Sequence, residues 1–419
     1  MEPDANGYPG YQTASKKLPA VKPDYQAVEA VVETGNWSTA SPSVIEWIDD
    51  SRDALGLWRT ATRKHSHLRV QPADLTIENA YGSVTNARAF KNLATLAALK
   101  VQSTADKDES WEWLRALFRY SRHIGMYSST IDRISGSAIH SSVSEQILRW
   151  ADGPTVGKQD IQTALTSLRK DFEMTAQPSV AVGVHYYSTL DELSRWSEMR
   201  EAHKTVIGEF DSRGILDQIE HIVGSVSFPY IPGPVESFVK NEPELTRRLL
   251  QHQVANLLKF ADRPAPECPP LLPGKVALFD DSSVEPGELM SKEAFMKAVD
   301  RSPVATMFLF NSRALGAPTE LTRQVILETI LAAHLFRHQN GGFPNRLDES
   351  VDSGILKQVP IDPLSPTRSH LGYERETGSL NRAKVWSVGR NGSDEKGSFE
   401  HIPGLGAADL GYSFGANRE

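Results

Sequence analysis

Residues 334–347, HLFRHQNGGFPNRL, end one kind of structure and begin another. Asn340-Gly341-Gly342 stops a helix, because glycine takes φ > 0 without a Cβ clash. Phe343-Pro344 cannot continue that helix and turns the chain back. Downstream, VPIDPLSPTRSHLGY (359–373) and VWSVGRNGSDEKG (385–397) are short apolar runs punctuated by proline and glycine. Ile361-Asp362-Pro363 starts a turn, and Tyr373 and Val385 to Val388 read as two strands of a hairpin. Gly389 to Gly397 is then a polar loop with oxygens at Asn391, Ser393, Asp394 and Glu395. A helix over 318–339 and a small antiparallel sheet over 370–415 make a C-terminal α+β module, residues 316–419. So small a sheet is not stable alone, so the helix is expected to cover it with Ile326, Ile330, Ala333 and Phe336.

Outward from that module the chain is helical. Phe90, Leu93, Ala97 and Val101 share one helical face, as do Trp111, Leu114 and Phe118 in the next segment. Ile131, Ile134, Ala138 and Ile147 suggest a third helix, and Ile161, Ala164, Leu165, Leu168 and Phe172 form the clearest stripe. Ser41 or Ser43 could cap a helix running through Trp58. Short breaks between amphipathic segments predict antiparallel neighbours. Residues 178–190 are ambiguous: Val180, Val182 and Val184 alternate like a strand, yet equally open a helix. Further helices are expected over 190–223, 242–262 and 291–300. The expectation is therefore a mainly α chain: an extended arm with one helix (1–40), an antiparallel helical array (41–315) with a proline-rich excursion near 263–290, and the α+β module.

The 419 residues are 39% apolar and 23% charged, an ordinary globular composition, with net charge −8. Basic residues are scattered, which argues against a nucleic-acid partner. No apolar run reaches the roughly 20 residues of a membrane span. The start, MEPDANGYP, lacks a basic-then-apolar signal. Cys268 is alone among prolines, so neither an intramolecular disulfide nor a thiolate zinc site follows.

The order of parts over 318–419 resembles the globular end of type II secretion major pseudopilins. A long helical region before such a tail is similar to a recurrent family of planctomycete-type helical proteins. The resemblance implies a calcium-binding loop that locks the last strand, with Asp394 and Asp409 at matching motif positions and Asn391 and Ser393 beside them. Lys396 departs from the pattern, since an ammonium opposes a cation. Relatives of this kind begin with an anchor or export signal. The expectation is an extracytoplasmic or cell-surface protein whose export segment is absent from this chain, the alternative a cytoplasmic one.

Other constellations read as structure. His334 and His338 have the i,i+4 spacing of zinc ligands, but no acid lies between them. His65-Ser66-His67 sits in a basic run, Arg59 to Arg69, that repels cations. Ser135-Gly136-Ser137 lies inside a helical pattern without a nucleophile elbow, and Gly153 to Lys158 is one residue short of a phosphate loop. Among the eight tryptophans, Trp111 and Trp113 point to different faces and are the first candidates for an aromatic platform. The functional expectation is a non-enzymatic interaction or scaffold protein with an unidentified protein partner. The alternative is a hydrolase or a carbohydrate- or peptide-binding protein using the groove of the helical array.

Overall fold

A computed structural model describes residues 5–69, 74, 86–128, 130–194, 243–263, 317–376, 379–389, 392–399, 401–402, 406–407 and 409–415. Among these the chain is mainly helical, with a small antiparallel sheet at the C-terminal end. The helices are α1 (Tyr8–Lys16), α2 (Tyr25–Thr34), α3 (Pro42–Asp50), α4 (Arg52–Thr62), α5 (Ala87–Gln102) and α6 (Lys107–Ile124). They continue with α7 (Thr130–Ala151), α8 (Lys158–Phe172), α9 (Pro178–Ser194), α10 (Pro243–Ala261), α11 (Ala317–Asn340) and α12 (Leu347–Asp352). The expected proline-rich excursion, Cys268, and helices over 195–223 and 291–300 lie outside the described residues.

Local signals set these boundaries. Asp24 caps α2 by accepting from Gln26 N, and Gly35 ends it in the left-handed region. Asp106 caps α6 by accepting from Glu109 N, with Asp108 and Glu109 in the first turn complementing the helix dipole. Gly341, at φ 81°, donates to Arg337 O and stops α11 where the sequence marks it. The single helix expected through Trp58 is instead two, broken at Ser51. The Asp-Asp-Ser run there favours local turns over a continuous ladder. The ambiguous 178–190 stretch is helical: α9 buries Ala181, Val182 and Ser188 while packing on α7 and α10.

The N-terminal segment is more than an extended arm with one helix. α1 packs on α4 and sends Tyr11 and Ala14 into the main core. That core runs without interruption from Tyr11 through Trp58, Phe90, Phe118, Ile147 and Leu168 to Ile330, Val385 and Phe414. A second cluster fills the other side of α5, where Leu93, Leu96 and Leu99 meet Val28, Val31, Val44 and Trp47. α7 is central, touching α5, α6, α9 and α11. Where α6 and α7 cross, a Cβ at Gly136 would lie 2.5 Å from Ser121 O, so only glycine permits the approach.

At the C-terminal end, β1 (Gly372–Arg375), β2 (Ala383–Ser387) and β5 (Leu410–Phe414) form a three-stranded antiparallel sheet in the order β1-β2-β5. Its register pairs Tyr373 with Val385 and Val385 with Tyr412. A two-stranded pair, β3 (His401–Ile402) with β4 (Gly406–Ala407), lies apart from it. α11 is buried on more than one side: it meets β2 and β5, but also α7 and α8. Ile326, Ile330 and Ala333 are buried as expected, whereas Phe336 is only half-buried. The C-terminal module and the helical array therefore share one core.

Candidate functional site

The basic run at the end of α4 meets a basic face of α6. Residues 112, 115 and 119 are three and four apart, so Glu112, Arg115 and Arg119 stand on one side of that helix. Together with Arg59 and Thr62 of α4, Arg63 at its C-terminal cap and Ala116, they line a cleft of about 180 Å³. Four guanidiniums thus face one lining carboxylate. Sequence reading noted one wall, Arg59 to Arg69, but not the other, because the two are joined only by tertiary packing.

The cleft's arginines are held in distinct ways. Arg59 forks onto Glu109, with Nη1 at 2.5 Å and Nη2 at 3.0 Å, and lies 4.6 Å above the Trp113 ring. Its Nε is buried without a hydrogen-bond partner. Arg119 donates to the carbonyls of Thr62, Arg63 and Lys64 at the C-terminal end of α4. A cation there satisfies orphan carbonyls and complements the helix dipole. Arg115 and Arg119 share Asp171 of α8, at 2.7 and 3.0 Å, and Asp171 is almost fully buried. Its hydrogen bond raises the Arg115 guanidinium, while burial lowers that of Arg119. Arg63 is exposed, and among the described residues no ion pair or hydrogen bond engages its guanidinium.

Deeper along α6 the polar groups are enclosed. Arg122 and Arg133 grip Glu320 of α11 at 2.5 and 3.2 Å, all three side chains being nearly inaccessible. Arg122 also donates to Thr175 Oγ1, and Arg133 to Ala176 O. His140 sits 3.3 Å from Gln324 Oε1, held neutral first by burial and then by Arg122 and Arg323. Tyr11 ties α1 to α6 through a 2.6 Å hydrogen bond between its hydroxyl and His123 Nδ1. Burial holds His123 well below the usual imidazole range and His67 down at about 4, with Arg69 adding to the effect at His67.

The sequence-predicted residues separate. Ser393 and Asp394 are exposed in the loop before β3, whereas Asp409 is buried at the start of β5; Asn391 lies outside the described residues. Asp394 Oδ1 accepts from Trp386 Nε1 and Lys396 N, at 2.8 and 2.9 Å. Asp409 accepts from Gly397 N at 2.7 Å and Glu395 N at 3.4 Å. Burial raises the Asp409 carboxyl, and the nearby Glu395 and Asp394 charges raise it further. Asp362 closes the other flank, accepting from Ser387 Oγ, Val388 N and Leu364 N.

The histidine pairs are not brought together as ligands. His334 is buried edge-on to Phe343, whereas His338 is exposed. Asp152 Oδ1 lies 3.6 Å from His334 Nε2, but burial keeps that imidazole neutral. His65 is exposed and His67 buried. Trp111 is buried on Trp150, and the half-buried Trp113 lies under Arg59. Among the described residues no helix is long and apolar enough to cross a membrane.

Comparison with protein-family models, curated proteins and solved structures returns no match.

Proposed function

We propose that this chain is a non-enzymatic interaction protein, a rigid helical scaffold working outside the cytoplasm with a C-terminal module fused to its core. One observation carries the reading: a single apolar core unites the N-terminal helix, the array and the last strand. The enclosed polar groups serve that same union. Glu320 joins three helices, Tyr11 and His123 clamp α1, and Asp171 joins α6 to α8 through two arginines bonded to it. The extracytoplasmic assignment is supported by the likeness of the tail sequence to pseudopilins.

The test is a turnover screen of the full chain against ester, peptide and glycoside substrates, with His123→Ala and Glu320→Gln as controls. Absence of turnover is expected. Turnover that vanishes in either variant, with the fold kept by circular dichroism, would overturn the proposal.

A calcium-lockable tail is part of the same proposal. Its support is that Asp394 and Asp409 accept from adjacent amides of one loop, Lys396 N and Gly397 N, which sets two like charges beside each other. A shared cation relieves such repulsion, with Ser393 and Asn391 supplying further oxygens. The N–H donors already on both carboxylates compete for the same lone pairs. Saturating calcium is expected to raise the melting temperature over chelator by about 2 °C or more, an effect lost in Asp394→Ala. Identical melts would remove the ion and leave a hydrogen-bonded latch.

A further inference from the structure

We infer that the α4–α6 cleft binds a carboxylate of an acidic peptide, and so is the recognition site of the interaction protein proposed above. The inference rests on that reading and names the chemistry of the partner. Four guanidiniums line the cleft against Glu112 alone. Glu109 and Asp171 stand behind the lining and neutralise Arg59 and the Arg115–Arg119 pair in part. Counting all three acids against the four arginines leaves one surplus positive charge. One carboxylate balances it.

A dianionic phosphate would overshoot that balance, and Glu112 on the wall would repel it twice as strongly. Donors remain for a planar monoanion. The whole Arg63 fork is open, and the hydrogen bonds to Asp171 use Nε and Nη2 of Arg115, leaving Nη1. Guanidinium forks match carboxylates bidentately. A chain of net charge −8 repels acidic segments at long range, so the basic lining of the cleft has to supply the attraction.

The experiment titrates the full chain with a capped oligoglutamate peptide, following amide shifts by NMR, with oligolysine and inorganic phosphate as parallel probes. Saturable oligoglutamate binding that weakens as salt rises is expected. Arg63→Glu should weaken it by about tenfold or more with at most a small drop in the melt, because the Arg63 side chain is exposed and among the described residues no partner engages its guanidinium. Glu112→Gln should tighten it severalfold, a gain that a merely damaged fold cannot produce. Equal binding by wild type and Arg63→Glu, or preference for phosphate over oligoglutamate, would overturn the assignment. Either result leaves the turnover screen unaffected, so the two proposals fail separately.

Discussion

The helical array and the C-terminal loop both hold buried acids, and they hold them with different partners. In the array, Glu320 and Asp171 are gripped by pairs of guanidiniums. In the tail, Asp409 and Asp362 are gripped by backbone N–H groups and a serine hydroxyl. A guanidinium left alone remains a full charge in a poorly solvated place. An amide left alone is a dipole at a loop that water can reach. The array should therefore fail abruptly when an acid is lost, and the tail gradually.

The largest effect should come from Glu320→Ala, which strands Arg122 and Arg133 inside the protein. Breaking one side of such a buried pair costs about 3–5 kcal/mol, measurable by urea unfolding. A loss below about 1 kcal/mol would show that water reaches the cluster and would erase the contrast.

Acid should come next, again acting on the array. His67, His123, His140 and His334 have folded-state values depressed chiefly by burial. The unfolded chain binds protons near pH 6.5 and the folded one only at lower pH. Their stabilising share is thus complete above about pH 6.5 and is lost as pH falls toward the folded values. For His67, whose value is about 4, the full loss is about 3 kcal/mol. Unfolding followed from pH 7 to 4 checks this, and a flat profile would refute it.

Glycine contacts sharpen the comparison at smaller scale. Gly136→Ala pushes a methyl against the Ser121 carbonyl, which cannot rotate away, at a cost of about 1–3 kcal/mol. Gly342→Ala, at the entry to the tail, meets the exposed Leu380 side chain at 3.3 Å, which is able to shift, and should cost less. The reverse order in chemical denaturation would mean the α6–α7 crossing is softer than the tail.

The smallest effect belongs to Asp394→Ala. Its partners, Trp386 Nε1 and Lys396 N, lose one hydrogen bond each beside solvent, costing about 1 kcal/mol without calcium. A larger loss would make the loop as charge-dependent as the array.

Much of this fold was legible in the residues. The stripes of α5, α6 and α8, the stop at Gly341 and the presence of strands at Tyr373 and Val385 follow from periodicity and turn chemistry. α9 was not decidable, because alternating valines fit either period until α7 and α10 supply the packing. α1 escaped notice because its apolar face is only Tyr11 and Ala14, and its burial depends on α4 and His123. The cleft was half visible: the basic run at 59–69 was plain, but that Arg115 and Arg119 would face it required the fold. For the tail loop the polar residues are plain in the sequence, while the N–H donors that reach Asp394 and Asp409 depend on backbone geometry no composition reveals.

The union of Tyr11 and Phe414 in one core has a consequence for how the chain is made. Asp152 Oδ2 accepts from Gly415 N across a separation of 263 residues, and Arg133 meets Glu320 across 187. During synthesis the array emerges first, with the apolar sides of α7 and α8 awaiting α11 and the last strand. Closure comes only once residues as far as Gly415 have joined the array, so the core cannot be completed by the first helices alone. Until then the apolar sides of α7 and α8 remain open to other apolar surfaces.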